Sequence, residues 1–217
     1  MLFFFLWDQL EYRIDGKDAP DQLGWEANVW FGGDFNRLVI KPEGEAVLED
    51  GRSVESETDV MYSRLVAPFW SLQAGAQYAN EWQQGADYSD SWSAALAIQG
   101  LAPGKFEVDA TGYVSEDGDF TSQLELEYDW RITQRFVAQP RAELTVAFQD
   151  IAERNVGAGL SEVVTGLRFR YEFMRELAPY LGVRYAARVF ESADRSRSAG
   201  IDPTRFFVVG GLRAAFL

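Results

Sequence analysis

The sequence predicts an all-β fold, a transmembrane antiparallel up-and-down β-barrel of about 12 strands with short periplasmic turns and longer outer loops. Three observations predict it. Hydropathy alternates with a period of two along nearly the whole 217-residue chain, as in strands with one apolar and one polar face. The connections alternate short and long, as in barrels of the bacterial outer membrane. Apolar faces end in aromatics near strand termini (Trp25, Phe31, Trp70, Tyr78, Trp92, Phe106, Tyr128, Phe136, Phe148, Tyr171), as two interfacial girdles require.

The elements follow in order. Phe4, Leu6, Asp8, Leu10 and Tyr12 alternate with Trp7, Gln9, Glu11 and Arg13. Trp25, Ala27, Val29 and Phe31 oppose Glu26, Asn28 and Trp30. Segments near 35–43 and 53–65 supply two more strands, bringing Arg37, Glu57 and Asp59 to the polar side. Trp70 to Tyr78 and Trp92 to Ile98 alternate next, with Ser, Gln and Gly on their polar faces. Phe106, Val108 and Ala110 then oppose Glu107 and Asp109, and Phe120 to Tyr128 opposes Glu125 and Glu127. The segment from Phe136 to Phe148 carries Arg141 and Glu143 opposite its apolar residues. Val163 to Tyr171 opposes Arg168 and Arg170, Leu181 to Val189 opposes Arg184 and Arg188, and the last segment sets Phe206, Val208, Leu212 and Phe216 against Arg213. No helical period of useful length appears, although 147–154 has room for a turn. With no repeats, low-complexity tracts or linkers, 1–217 reads as a single barrel domain.

Short connections fall near 32–34, 67–69, 101–104, 131–134 and 175–179, and longer polar ones near 14–23, 42–58, 79–90, 150–159 and 191–203, with 115–119 the shortest of that set. A soluble sandwich also alternates. It is the weaker reading, because the polar face carries Glu, Asp and Arg at nearly every position where a solvated sheet would be rich in Thr, Ser and Lys. The chain also closes on Phe216, near the terminal aromatic usual in outer-membrane barrels, and barrel closure removes the sheet edges that hydrocarbon does not tolerate.

Composition excludes several functions. Lys and Arg number 20 against 34 Asp and Glu, for a net charge of −14, and there is no His or Cys. Thiol redox sites, disulfides, Ser-His catalysis and His-ligated metal sites are therefore absent. The acidic balance argues against nucleic acid, whose phosphates need clustered Lys and Arg. Outer-membrane hydrolases usually need His or a tightly arranged catalytic group, so no enzyme is expected. The apolar run Leu2 to Trp7 spans six residues, far short of the roughly 20 a membrane helix needs. It lacks a basic n-region and a small-residue cleavage site, so it does not read as a signal peptide.

In a barrel the polar face lines the lumen. Glu107, Asp109, Glu125 and Glu127 are expected on one wall, Arg168, Arg170, Arg184, Arg188 and Arg213 on the wall of the last three strands, and Arg141 with Glu143 between them. Glu11, Arg13, Glu26, Arg37, Glu57 and Asp59 complete the lining. Such charges either satisfy one another in an ion-paired plug or form a polarised passage for a small charged solute. The stretch 41–60 sets Lys41 and Arg52 against Glu43, Glu45, Glu49, Asp50, Glu55, Glu57 and Asp59, and is expected as an acidic outer rim that concentrates cations or is simply solvated.

Several segments together resemble the copper resistance protein B family. They include Asp8-Gln9-Leu10-Glu11-Tyr12, Gly32-Gly33-Asp34-Phe35-Asn36-Arg37-Leu38, Gln99-Gly100-Leu101-Ala102-Pro103 and Phe106-Glu107-Val108-Asp109-Ala110-Thr111. Glu127-Tyr128-Asp129, Ile132-Thr133-Gln134-Arg135, Gly166-Leu167-Arg168-Phe169-Arg170-Tyr171-Glu172 and Arg175-Glu176-Leu177-Ala178-Pro179-Tyr180 continue the match in order across the chain. The resemblance implies a Gram-negative outer-membrane barrel that passes or sequesters copper ions, with outer-membrane lipid and periplasmic copper-handling proteins as partners. Members typically carry a Met- and His-rich segment ahead of the barrel; here the only methionines are Met1, Met61 and Met174. Copper(I) wants thioethers and copper(II) suits imidazole. Met61, expected on the lumen face with Glu57 and Asp59, is the one candidate metal ligand, against the plainer role of a gap-filling side chain. The competing function is a closed structural barrel whose acidic loops bind cations or partner proteins.

Overall fold

The computed structural model describes residues 2–16, 20–48, 52–86, 88–151, 154–174 and 176–216. Its strands are β1 (Leu2–Asp15), β2 (Gln22–Gly32), β3 (Asn36–Val47), β4 (Ser53–Ala67), β5 (Trp70–Gln83), β6 (Ser89–Ala102), β7 (Phe106–Ser115), β8 (Phe120–Tyr128), β9 (Trp130–Arg131), β10 (Phe136–Ala147), β11 (Gly159–Tyr171), β12 (Leu177–Arg188) and β13 (Thr204–Phe216). A single helix, α1 (Phe190–Ser198), lies between β12 and β13. Apart from β8 and β9, each strand pairs antiparallel with its neighbours in sequence, and β1 closes on β13 through registers such as Phe5 opposite Phe216 and Asp15 opposite Phe207.

The thirteen segments make a closed barrel of twelve strands, because β8 and β9 both pair with β10 and form one interrupted strand. Pro140 explains the interruption. It has no N–H to give to a ladder, and β8 breaks beside it, pairing up to Glu127 opposite Arg141 and resuming at Trp130 opposite Ala138. The short-turn end is built from tight hairpins. In Ala102-Pro103-Gly104-Lys105 the Lys105 N–H donates to the Ala102 carbonyl at 3.1 Å, and Gly104 takes φ +89°. Proline followed by a positive-φ glycine is the type II arrangement.

The outward face is apolar. Leu96 is 58% exposed and Leu181 70% exposed near the middle of their strands, the inverse of a water-soluble fold and the requirement for hydrocarbon contact. Aromatic pairs cluster toward both rims: Tyr78 with Trp92 (centroids 4.8 Å) and Phe120 with Phe148 (4.5 Å) at the long-loop end, Phe106 with Tyr128 (5.0 Å) and Phe136 with Phe169 (5.9 Å) at the short-turn end. No helix among the described residues is long and apolar enough to cross a membrane; the strands cross instead.

Three sequence expectations change. First, β1 does not alternate without a slip. Trp7 faces Ala214 and Leu10 faces Leu212, so Asp8 and Gln9 share one partner position in a β-bulge. A bulge moves every later residue to the other parity: Leu6 and Asp8 line the lumen together with Gln9 and Arg13, while Leu10 and Tyr12 are exposed outside. Second, 42–58 is not a long loop, since β3 runs to Val47 and β4 starts at Ser53. The acidic stretch is therefore largely lumen wall rather than rim; Glu49 and Asp50 lie outside the described residues, as does Arg175 of the last short turn. Third, 191–203 contains α1. Its buried face is Ser192, Ala193 and Ser196, which offers no hydropathy contrast to read. The turn expected within 147–154 forms where the Arg154 N–H donates to the Ile151 carbonyl.

Candidate functional site

The bore is divided by charge. On the side of β1 and β10–β13 the arginines are paired. Glu11 accepts from Arg13 Nε at 2.7 Å and Arg168 Nε at 3.2 Å, and takes the Tyr180 hydroxyl at 3.1 Å. Arg168 also donates to Gln9 at 2.6 Å. Arg13 reaches Glu45 at 2.9 Å, and Arg184 stands 4.0 Å from the same carboxylate. Arg170 pairs with Asp129 at 2.7 Å, Arg213 with Asp8 at 2.7 Å, and Arg188 donates to Ser196 of α1 at 3.2 Å. Arg37 sits at the short-turn end, over the Trp30 ring at 4.1 Å, donating to the Gly33 carbonyl; Trp30 in turn stacks on Phe4 at 5.7 Å.

Two contacts besides Arg184–Glu45 span the bore. Arg141 on β10 donates to Glu26 on β2 at 2.6 Å while holding Glu125 at 2.9 Å, with Glu127 at 3.5 Å and Glu143 at 3.9 Å. Lys41 on β3 pairs with Asp109 on β7. Neither partner choice is visible from strand parity, because both depend on which walls face one another once the barrel closes.

The Arg141–Glu26 bridge lies between two cavities, and the Lys41–Asp109 pair borders the inner one. The inner one, about 420 Å³, reaches the short-turn end at Phe69 and Leu101 and is lined by ten carboxylates against two cations, Lys41 and Arg213. The outer one, about 160 Å³, is lined by six carboxylates and four arginines. Glu26, Glu43 and Glu57 border both. Glu107, Asp109, Glu125, Glu127, Glu57 and Asp59 thus converge on one acidic inner chamber, whereas Glu143, Arg168 and Arg184 belong to the outer one, where arginines offset most of the carboxylates.

Apolar side chains narrow the bore in two places. Met61 is 0% exposed, packed with Ala95 and Ala97 under Tyr113, and Phe207 and Val209 pack against Tyr180. Met61 faces the lumen side of β4 yet offers no solvated thioether; Met174 is exposed in a short turn. No group of three or more acidic, His or Cys residues among the described ones is arranged to hold a metal ion. The lumen therefore offers scattered hard oxygen donors and no preformed soft site.

At the long-loop end, residues 148–151, residues 154–158 and α1 cover part of the mouth. Gly157 N–H donates to Ser192 Oγ at 2.9 Å, Arg195 pairs with Asp150 at 3.1 Å, and Arg154 reaches across to Ser91 on β6 at 2.8 Å. A Cβ on Gly157 would lie 2.6 Å from Glu191 Cβ, so the close approach of loop to helix needs glycine there. Sequence parity missed this cap because it is built from small polar residues.

Closed topology, an apolar outer face with aromatic rims and a charged lumen define an outer-membrane β-barrel. Solved structures agree on the fold: the NanC porin matches with a TM-score of 0.59 at 11% identity over 100% of both chains, and the KdgM porin with 0.55 at 10% identity over 99% of both. The family model described as Copper resistance protein B precursor (CopB) matches residues 1–216. Copper resistance protein B of Escherichia coli is 34% identical over 99% of this chain and 69% of its own length, and a homolog from Pseudomonas syringae pv. tomato is 33% identical over 98% and 69%. The chain belongs to the copper resistance protein B family, and its place is the outer membrane.

Proposed function

We propose that the barrel passes copper across the outer membrane as a hydrated divalent cation, in the service of copper tolerance. The observation that supports this best is the inner cavity, with ten carboxylates against two cations. Like-charged walls of low dielectric focus the field and raise the local concentration of counter-ions. At about 420 Å³ the chamber has room for an ion with its water shell, since each water takes roughly 30 Å³. Conduction needs sites that attract an ion and release it, and dispersed carboxylates suit that better than tight sequestration. Copper(I), which needs thioether or thiolate donors, does not fit this lining; copper(II) bound through oxygen and water does. The Arg141–Glu26 bridge, 2.6 Å across the bore, makes the passage a constricted one rather than an open pore.

Planar bilayers test the proposal. The purified chain should give small, cation-selective conductance, and Cu²⁺ should enter vesicles carrying a trapped copper-sensitive dye. Arg141→Ala should raise conductance several-fold by removing the central bridge. Absence of cation conductance and of Cu²⁺ entry in both proteins, each folded, would overturn the proposal and favour a closed structural barrel.

A further inference from the structure

Two cations face the inner cavity. Arg213 is engaged by Asp8 at 2.7 Å; Lys41 is placed differently. In the β3–β4 ladder Lys41 stands directly opposite Asp59, and opposed residues on one sheet face have Cβ atoms about 5 Å apart. Asp59 is the carboxylate most easily reached along the wall. The ammonium instead crosses the bore to Asp109 on β7, whose other oxygen accepts from Thr111 at 3.1 Å.

Asp59 is left half-satisfied. It is only 6% exposed. Its Oδ2 takes the Tyr113 hydroxyl at 3.0 Å, while Oδ1 is buried with no hydrogen-bond partner among the described residues. Buried carboxylate oxygens are normally hydrogen-bonded or face a cation. Asp59 and Asp109 border the same cavity, and of the two Asp109 holds the ammonium.

Resting on the reading of the lumen as a cation passage, we propose that the space between Asp59 and Asp109 is a divalent-cation subsite and that Lys41 is its tethered counter-ion. With Nζ on Asp109, the lysine stem crosses the bore and fills the subsite. With Nζ on Asp59, the stem folds back along the wall and leaves the space beside Asp109 free. Lysine suits this exchange, being a compact charge on a flexible four-carbon stem. Arg141 does not, because its planar guanidinium is fixed between Glu26 and Glu125 on opposite walls. A divalent ion carries twice the ammonium's charge and displaces it; a monovalent ion does not. Selection between the two classes follows.

The test uses the full chain folded in detergent and titrated with Cu²⁺, and in parallel with Ca²⁺. Lys41→Met removes the charge and keeps most of the stem; it should bind both ions at least ten-fold more tightly. Adding Asp59→Asn to Lys41→Met should return affinity to within about two-fold of the native chain, and Lys41→Arg should not tighten binding. Folding of each variant is read from its heat-dependent gel mobility. Unchanged affinity for both ions in folded Lys41→Met overturns the subsite, whether or not the native barrel conducts. Tighter binding that survives Asp59→Asn overturns the role of Asp59. Tighter binding reversed by Asp59→Asn in a barrel that conducts nothing supports the subsite while overturning the passage.

Discussion

Glu11 is wholly buried inside a polar lumen, and the groups around it explain why it stays there. Two guanidiniums and a phenol converge on its carboxylate, from Arg13, Arg168 and Tyr180. Those arginines have few alternatives: Arg168 is 5% exposed and otherwise donates to Gln9. Removing one member of a buried pair strands the other charge, at a cost of about 3–5 kcal/mol. Glu11→Ala should therefore lower stability toward guanidinium by that amount in lipid vesicles, and Glu11→Gln, which keeps an acceptor, should lose less. An unchanged unfolding midpoint in Glu11→Ala would show that lumen water, rather than the carboxylate, compensates the arginines. Parity alone placed Glu11 and both arginines on one face. It did not pair them, because the contact between Arg168 and Glu11 joins residues 157 apart and exists only once β13 has closed on β1.

Elements were legible to the extent that their faces differ in hydropathy. β5 and β6 alternate without interruption, and the sequence places them although it ends them three to five residues short, whereas β11 slips at Ser161. β1 misleads midway, since the bulge at Asp8–Gln9 changes the parity without changing the composition. Helix α1 was invisible because its buried face is two serines and an alanine. Its signal lies in charge instead: Glu191 pairs with Arg195 at i,i+4 and Asp194 with Arg197 at i,i+3, and the basic residues sit in the last turn where the helix dipole favours them. The loop holds α1 down through the glycine contact at 157 and the Arg195–Asp150 pair. Gly157→Val would force the loop away from Glu191, an overpacking that costs about 1–3 kcal/mol. Local opening of the cap should then rise roughly 5- to 30-fold for the first 1–2 kcal/mol. Limited trypsin digestion reads this out at Arg195 and Arg197, and the barrel's heat-dependent gel mobility should stay unchanged. Equal cleavage rates in both proteins would show that the helix is held by its own ion pairs and not by the loop.

At the scale of the whole molecule, the mean hydropathy of −0.21 averages two surfaces that never mix. Lipid-facing positions are apolar, and the net charge of −14 is carried by the outer loops and by the lumen wall from β2 to β8, which faces arginines on β10 to β13. The two surfaces alternate residue by residue, so neighbouring positions should answer an added charge in opposite ways. Leu96 points outward near the middle of β6, 58% exposed, while Ser93 on the same strand has lumen parity with Gln77 opposite. An arginine at the bilayer midplane costs about 2–4 kcal/mol in a barrel. Leu96→Arg should therefore destabilise the folded state by roughly that much in reversible unfolding from lipid vesicles. Ser93→Arg enters a water-accessible, carboxylate-rich wall and should cost under about 1 kcal/mol, within the range of substitutions that break no packing or pairing. The contrast depends on the membrane and not on the strand, so it should vanish in a soluble sandwich, where Leu96 would be core and Ser93 solvated surface. There, Leu96→Arg would prevent folding in every medium. In this barrel it should weaken folding less in short-chain, thin bilayers than in thick ones, as the arginine comes within reach of the interface.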